Sequence, residues 1–405
     1  MKVLRRPGVW ALGLLVAGGL AWWAWPTGPQ APSQAAQAAT PPPRPASPWP
    51  ASGAPVATGA PLSPEGLRQR EAERQQWQAR LAQAREALAA YEAHARYPHQ
   101  SRPASEHPDQ LQPFQPIAEE HPLRTPGGTA MDGVKLVTTQ ERVFAASGES
   151  NKVTVSLQNA QGQALPLRFT RAIVKEVTEP GRTAQTAERP LVPQDNGQAG
   201  DDLAGDGVHT AVMNPATQGF ASFAGRIRLE LWMEHGGQPG FIYFDLMHDP
   251  GSAGRWLPGV TETVAQGALA LDLRLEVLQA GRYVVNGRID DATGKPIALA
   301  LFNEELKAGP QTVRLWVHGR LLHDLKPAFP LTLRDVDGFL LRENTFPDRV
   351  MLPRLPGAVH RTQPYVLARF SPEAWPSEQR DRYLAELGKD VDVAADALKR
   401  LGGSP

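Results

Sequence analysis

Leu269, Leu271, Leu273, Leu275 and Val277 occupy every second position of one stretch, with Asp272, Arg274 and Glu276 between the later members. Successive side chains of an extended chain point to opposite faces. This period therefore demands a β-strand with one face in a core and the other toward solvent. Arg226-Ile227-Arg228-Leu229-Glu230-Leu231 repeats the pattern. Such a strand is stable only beside others, and its apolar face needs a second layer. Further short runs of β-forming residues fall at 134–144, 152–158, 165–177, 208–212 and 241–246, then at 281–289, 296–302, 311–318 and 331–335. Turn residues separate them. The chain therefore reads as mainly β: two immunoglobulin-like β-sandwiches over residues 131–236 and 237–370, parted at Gly236-Gly237.

The chain before residue 131 is of another kind. Lys2, Arg5 and Arg6 lead into an uncharged apolar run at 8–25. At about 1.5 Å per residue this makes about 27 Å of helix, close to the roughly 30 Å of a bilayer's hydrocarbon core. The basic residues lie only on the N-terminal side, which keeps that end in the cytoplasm and exports the rest. Trp22, Trp23 and Trp25 suit the outer interface. A cleaved signal peptide is the competing reading. Bulky indoles and Pro26 stand where cleavage wants small residues, which favours an uncleaved, single-pass transmembrane helix over residues 1–26. The expected location is a bacterial inner membrane, with the C-terminal bulk in the periplasm.

Residues 27–64 are Pro, Ala, Ser, Thr and Gly with Arg44 as the one charge. They cannot bury enough apolar surface to offset chain entropy and predict a disordered linker. Residues 65–96 are rich in helix formers, and Trp77, Leu81, Ala84, Leu88 and Tyr91 make one narrow apolar stripe. That stripe suits either a weak homodimer seam or packing against the folded domain. Residues 97–130 are punctuated by prolines, each holding its predecessor extended, and carry Tyr97, Leu111, Phe114, Ile117 and Leu123. They predict a strap laid over the folded surface. Residues 371–405 read as a helical tail anchored by Trp375 and Tyr383.

The 405 residues carry 42 basic and 42 acidic side chains and no cysteine. Zero net charge offers nothing to nucleic acid. The missing thiols exclude disulfides, thiol nucleophiles and zinc–thiolate sites. No His-Glu-x-x-His, Gly-x-Ser-x-Gly or P-loop motif is present. His318 and His323 fall on a strand and a loop and need not face each other. The densest polar cluster is the Asp/Gly loop at 195–208. Asp195, Asp201, Asp202 and Asp206 are its candidate calcium ligands, because a hard cation wants six to eight oxygens on flexible backbone. Their spacing is not that of an EF-hand. The alternative is a tight turn in which glycine takes positive φ and aspartate bonds its own backbone. Trp232, Trp256 and Trp316 suit either a sugar-binding face or a core.

The loop, together with Gly281-Arg282-Tyr283-Val284-Val285-Asn286-Gly287-Arg288 and Asp291-Ala292-Thr293-Gly294-Lys295-Pro296-Ile297-Ala298, resembles bacterial extracytoplasmic proteins of the choice-of-anchor type. The resemblance covers about 134–335. It implies tandem immunoglobulin-like sandwiches held by a variable membrane attachment, and it implies no activity. Asn196 stands where an Asp is common in that group, and His209 where an aromatic is common. The expected role is a non-enzymatic, membrane-anchored periplasmic scaffold or adaptor that presents its sandwiches to an envelope protein. No cofactor is expected apart from the candidate calcium. A glycan- or peptidoglycan-binding module is the alternative, and an enzyme a third reading.

Overall fold

The computed structural model describes residues 63–124, 130–178 and 183–402. The expected anchor at 8–25 and nearly all of the linker lie outside those residues. Among the described residues, no helix is long and apolar enough to cross a membrane.

Helix α1 (Pro64–His94) opens with Ser63 as cap, its Oγ accepting the Gly66 N–H at 3.1 Å. The strap then forms β1 (Ser101–Pro103) and β2 (Ile117–Arg124). The next strands are β3 (Ala130–Gln140), β4 (Phe144–Ala145), β5 (Asn151–Asn159) and β6 (Ala164–Leu165). They are followed by β7 (Arg168–Glu176), β8 (Arg189–Pro190), β9 (Val208–Met213), β10 (Gly225–His235) and β11 (Gln238–His248). The order β2-β3-β5-β6, with β9 also on β5, makes one sheet, and β4-β11-β10-β7-β8 makes the other. Their inward residues meet in one core: Leu136, Val153, Val155, Leu157 and Met213 against Val174, Leu229, Leu231, Met233 and Leu246.

The rest of the β structure is β12 (Gly254–Ala265), β13 (Ala268–Val277), β14 (Gly281–Asp290), β15 (Pro296–Leu306) and β16 (Gly309–Val317). Helix α2 (Gly319–Leu325), β17 (Thr332–Leu341), β18 (Arg349–Met351), β19 (Leu355–Arg361) and helix α3 (Glu378–Arg400) complete the chain. Here the three-stranded sheet β12-β13-β16 packs on β1-β15-β14-β17-β18, with β19 also on β17. The period-two leucines of β13 do what their spacing requires: Leu269, Leu271, Leu273 and Leu275 are buried against Tyr283, Val285, Ile289 and Leu333. Tyr283 is fully buried, and its hydroxyl lies 2.7 Å from both the Ala253 and Gln279 carbonyl oxygens.

The chain is thus mainly β, built of sheet-on-sheet sandwiches with a C-terminal helix. The domain boundary differs from expectation. Gly236-Gly237 is the turn of a hairpin whose strands pair from Gly225↔His248 to His235↔Gln238. Both glycines have positive φ, 58° and 77°, which suits a two-residue turn. The glycines that read as a break between domains instead bind two strands of one sheet, and the passage to the second sandwich comes after His248. Strand β12 escapes the sequence pattern because Pro258-Gly259 interrupts it, at a register shift between Leu257 and Val260.

The strap is more than a covering. Strand β1 pairs with β15 of the second sandwich and β2 pairs with β3 of the first, so one segment closes a sheet edge on each. Between them the Arg354 guanidinium lies 4.9 Å from the Phe114 ring, and Arg288 donates to the Leu111 carbonyl. Arg349 sits between Phe144 of the first sandwich and Phe339 of the second, at 4.2 and 4.8 Å. Arg342 bridges Asp249 and Gln279 at 2.7 and 2.8 Å. The helical stripe also has its partner within the chain. Trp77 and Leu81 pack on Val391, Ala394 and Leu398 of α3, and Tyr91 meets Tyr383 at 5.7 Å. The pair is antiparallel. The seam offered for a second copy is therefore covered by the protein's own C-terminal helix, which runs unbroken through Gly388.

Candidate functional site

Strand β10 carries leucines inward, so Arg228, Glu230 and Trp232 point outward. Register then decides which residues join them. On β11, Phe241 stands opposite Trp232, Tyr243 opposite Glu230, and Asp245 opposite Arg228. On β7, Arg171, Ile173 and Lys175 stand opposite the same three. The outer face of this sheet thereby gathers three aromatic rings. Trp232 and Phe241 are 5.1 Å apart between centroids, and Phe241 and Tyr243 are 6.2 Å apart. Phe241 is 49% exposed and Tyr243 45%, while Trp232 is half-buried. Large apolar rings are seldom left this open without a reason.

Charged side chains frame the rings. The Arg171 guanidinium lies 4.7 Å from the Trp232 ring and pairs with Glu188 at 2.9 Å. Arg228 lies 3.8 Å from the Tyr243 ring and holds Asp245 by two hydrogen bonds of 2.7 and 2.8 Å. That carboxylate stabilises the guanidinium's charge and raises its pKa. Lys175 pairs with Glu230 at 2.9 Å. At one end, Phe346 from the loop after β17 is 60% exposed, with Arg226 5.7 Å from its ring. The face can therefore offer apolar ring faces beside planar, ion-paired donors and acceptors.

The four aspartates of the Asp/Gly loop are placed differently from a cation cradle. Asp195 accepts the Gly205, Asp206 and Gly207 N–H groups at 2.6, 3.2 and 3.1 Å. Asp201 accepts the Gly197 N–H at 2.6 Å and the Thr210 hydroxyl at 3.2 Å, and these bonds lower its carboxyl pKa. Asp206 accepts the Val208 N–H at 2.9 Å, and Asp202 pairs with Lys152 at 2.7 Å. Among the described residues no group of three or more His, Asp or Glu side chains is arranged to hold a metal ion. Gly197, Gly200, Gly205 and Gly207 all take positive φ, as a tight turn requires.

The three tryptophans do not share a face. Trp256 packs against the second core and donates to the Pro353 carbonyl at 2.8 Å. Trp316 lies on β16 with the Arg314 guanidinium 5.3 Å from its ring, and only Trp232 stands in the first sandwich. His318 caps α2, its Nδ1 accepting the Arg320 N–H, while His323 reaches the Phe370 carbonyl at 3.0 Å. They serve separate local contacts. Sequence reasoning passed over Phe241 and Tyr243. Their signal was the run Phe241-Ile242-Tyr243-Phe244, in which the outward positions are as apolar as the inward ones.

Two cavities lie away from this face. One of about 330 Å³ is lined by Gln112, Phe114, Arg288 and Asp335, and one of about 400 Å³ by Glu92, Arg96, Arg320 and Arg380. Their arginines are engaged by Asp290 and Asp335 in the first, and by Asp324 and Asp381 in the second. Neither sets a nucleophile beside a base.

No family model matches the chain, and no curated protein does. Among solved structures it is similar to a DUF4785 family protein from Legionella pneumophila, 13% identical over 56% of this chain and 57% of that one, with TM-score 0.37. It is similar to the adhesin InvE of Yersinia pseudotuberculosis at 12% identity over 55% and 58%, with TM-score 0.17. Alpha-2-macroglobulin of Escherichia coli is 12% identical over 61% of this chain and 18% of that one, with TM-score 0.25. The chain thus spans less than two thirds of each of these proteins. At these scores the neighbours say nothing of what it binds or does.

Proposed function

We propose that the protein is a non-enzymatic scaffold of the bacterial envelope. In this reading residues 8–25 hold it in the inner membrane, residues 27–62 space it from the bilayer, and its bulk lies in the periplasm. The sandwiches are of the immunoglobulin-like kind suggested by the choice-of-anchor resemblance. One observation carries the reading: an open aromatic face, framed by ion pairs, stands on a sandwich that the strap ties to its neighbour. Such a body suits holding a partner away from the membrane. The aspartates of the 195–208 loop act as staples of its turn, and the scaffold takes no cofactor.

The test is a photo-reactive amino acid placed in the full-length protein in living cells, at position 241 on the face or at 278, an equally exposed position elsewhere. A defined adduct from 241 and none from 278 is the expected result. Equal labelling at both, or none at either, overturns the scaffold reading.

A further inference from the structure

We propose that the outer face of β7, β10 and β11 binds a neutral polysaccharide chain, with Trp232, Phe241 and Tyr243 as the stacking platform. The inference rests on the scaffold reading and names the chemistry of its partner.

A pyranose ring has two kinds of surface. Its C–H face is apolar and packs on an aromatic ring. Its edge carries hydroxyls, each both donor and acceptor. Three rings spaced 5.1 and 6.2 Å apart on one face of the sheet, tilted 48° and 39° to their neighbours, match the first kind. The Arg228–Asp245 pair, its guanidinium 3.8 Å from the Tyr243 ring centroid, shows N–H donors beside carboxylate acceptors, which matches the second. Arg171 and Glu188 repeat that arrangement beside Trp232.

Charge decides against two other ligands. Arg171 with Glu188, Lys175 with Glu230, and Arg228 with Asp245 are each paired within the face. A polyanion would find each of these cations already paired, and Arg226, the further arginine on the outer face of β10, shares Asp245 at 3.8 Å. An apolar protein surface would have to strip water from three ion pairs without replacing its hydrogen bonds. Sugar hydroxyls replace that water bond for bond.

The test uses the detergent-solubilised full-length protein. Co-sedimentation with insoluble chitin and with insoluble cellulose, both neutral polysaccharides, is the first measurement. Titration with chitohexaose and cellohexaose, read by tryptophan fluorescence, is the second. The comparison is among wild type, Phe241→Ala, Tyr243→Ala and the distant control Val366→Ala. Phe241 and Tyr243 are half in solvent, so their loss leaves the core intact, and matching thermal melts establish this. Saturable binding to one of these polysaccharides or to its oligosaccharide, weakened roughly tenfold by each face substitution and unchanged by the control, is the expected result. Binding that survives both face substitutions overturns the inference. So does absence of polysaccharide binding together with a protease-sensitive adduct at position 241 in cells, an outcome that leaves the scaffold reading standing with a protein partner. Neither binding nor an adduct overturns both.

Discussion

At the scale of single residues, buried polar atoms and close backbone approaches are where this fold is most sensitive. Tyr283 has one hydroxyl proton and two carbonyl oxygens at 2.7 Å, deep in the second core. Burial pushes its phenol up to about 12, so it stays protonated and donating at any physiological pH. Tyr283→Phe keeps the ring and removes the donor. It should cost about 1–2 kcal/mol in urea unfolding. Gly319 opens α2 where two chain segments cross, and a Cβ there would run into the carbonyl oxygens of Gly267 and Ser371. Backbone cannot yield as a side-chain tip can. Gly319→Ala should therefore cost about 1–3 kcal/mol by the same measurement. The pairing partner of Tyr283 was not readable beforehand, because a carbonyl four residues away looks like any other. The need for an alternating core was readable, because it is written in the period of β13.

At the scale of elements, two contacts carry expectations of their own. The Asp/Gly loop is closed by Asp195, which satisfies three backbone N–H groups. Asp195→Ala leaves them without that acceptor. It should lower stability by about 1–2 kcal/mol and speed amide exchange over 195–208. Millimolar calcium should neither raise the melting temperature of the wild type nor rescue the variant. A calcium-dependent rise would restore the cation reading of Asp195, Asp201, Asp202 and Asp206. The α1–α3 pair is a small satellite core around Leu81, Ala394 and Leu398. Leu398→Ala should raise amide exchange in both helices while β13 and β14 keep their protection, because the sandwiches have cores of their own. Hydrogen-exchange mass spectrometry reads both outcomes. The apolar stripe of α1 was evident in its sequence. Its partner lies some three hundred residues on, where no local pattern reaches.

At the scale of the whole molecule, acid stability depends on carboxylates and histidines that are held in one state. Hydrogen bonding from Arg96 lowers Asp324 to about 2, with Tyr97 and Arg320 adding to it. A depressed carboxyl contributes stability that is fully present above its unfolded value near 4, and that stability is lost as pH falls toward 2. The Asp324 side chain is 23% exposed, so screening leaves a contribution on the order of 1 kcal/mol. His248, buried beside the Phe223 carbonyl at 2.7 Å, is shifted down by desolvation. A neutral buried histidine loses its contribution as pH drops through the unfolded value near 6.5. The melting temperature should therefore fall in two stages, below about pH 6.5 and again below about pH 4. Asp324→Asn should flatten the second stage.

Local chemistry was enough to establish much of this protein. The leucines of β13 had to lie in a core, the tail expected as helical from residue 371 forms its helix over Glu378–Arg400, and the proline-punctuated strap is extended in β1 and β2 but turns through short 3-10 helices at Ala104–Glu106 and Pro108–Gln110. Side-chain period, proline's fixed φ and helix propensity act over a few residues and need no partner. Tertiary structure alone decided the rest. Gly236-Gly237 is a turn within a sheet rather than a break between domains, because eleven residues on each side pair across it. The strap became β1 and β2 because both sandwiches had an edge to close. Trp232 left its expected companions, Trp256 and Trp316, and joined Phe241 and Tyr243. Main-chain hydrogen bonds between strands are alike at every register. Which aromatic meets which is settled only when the whole sandwich has buried its inward face.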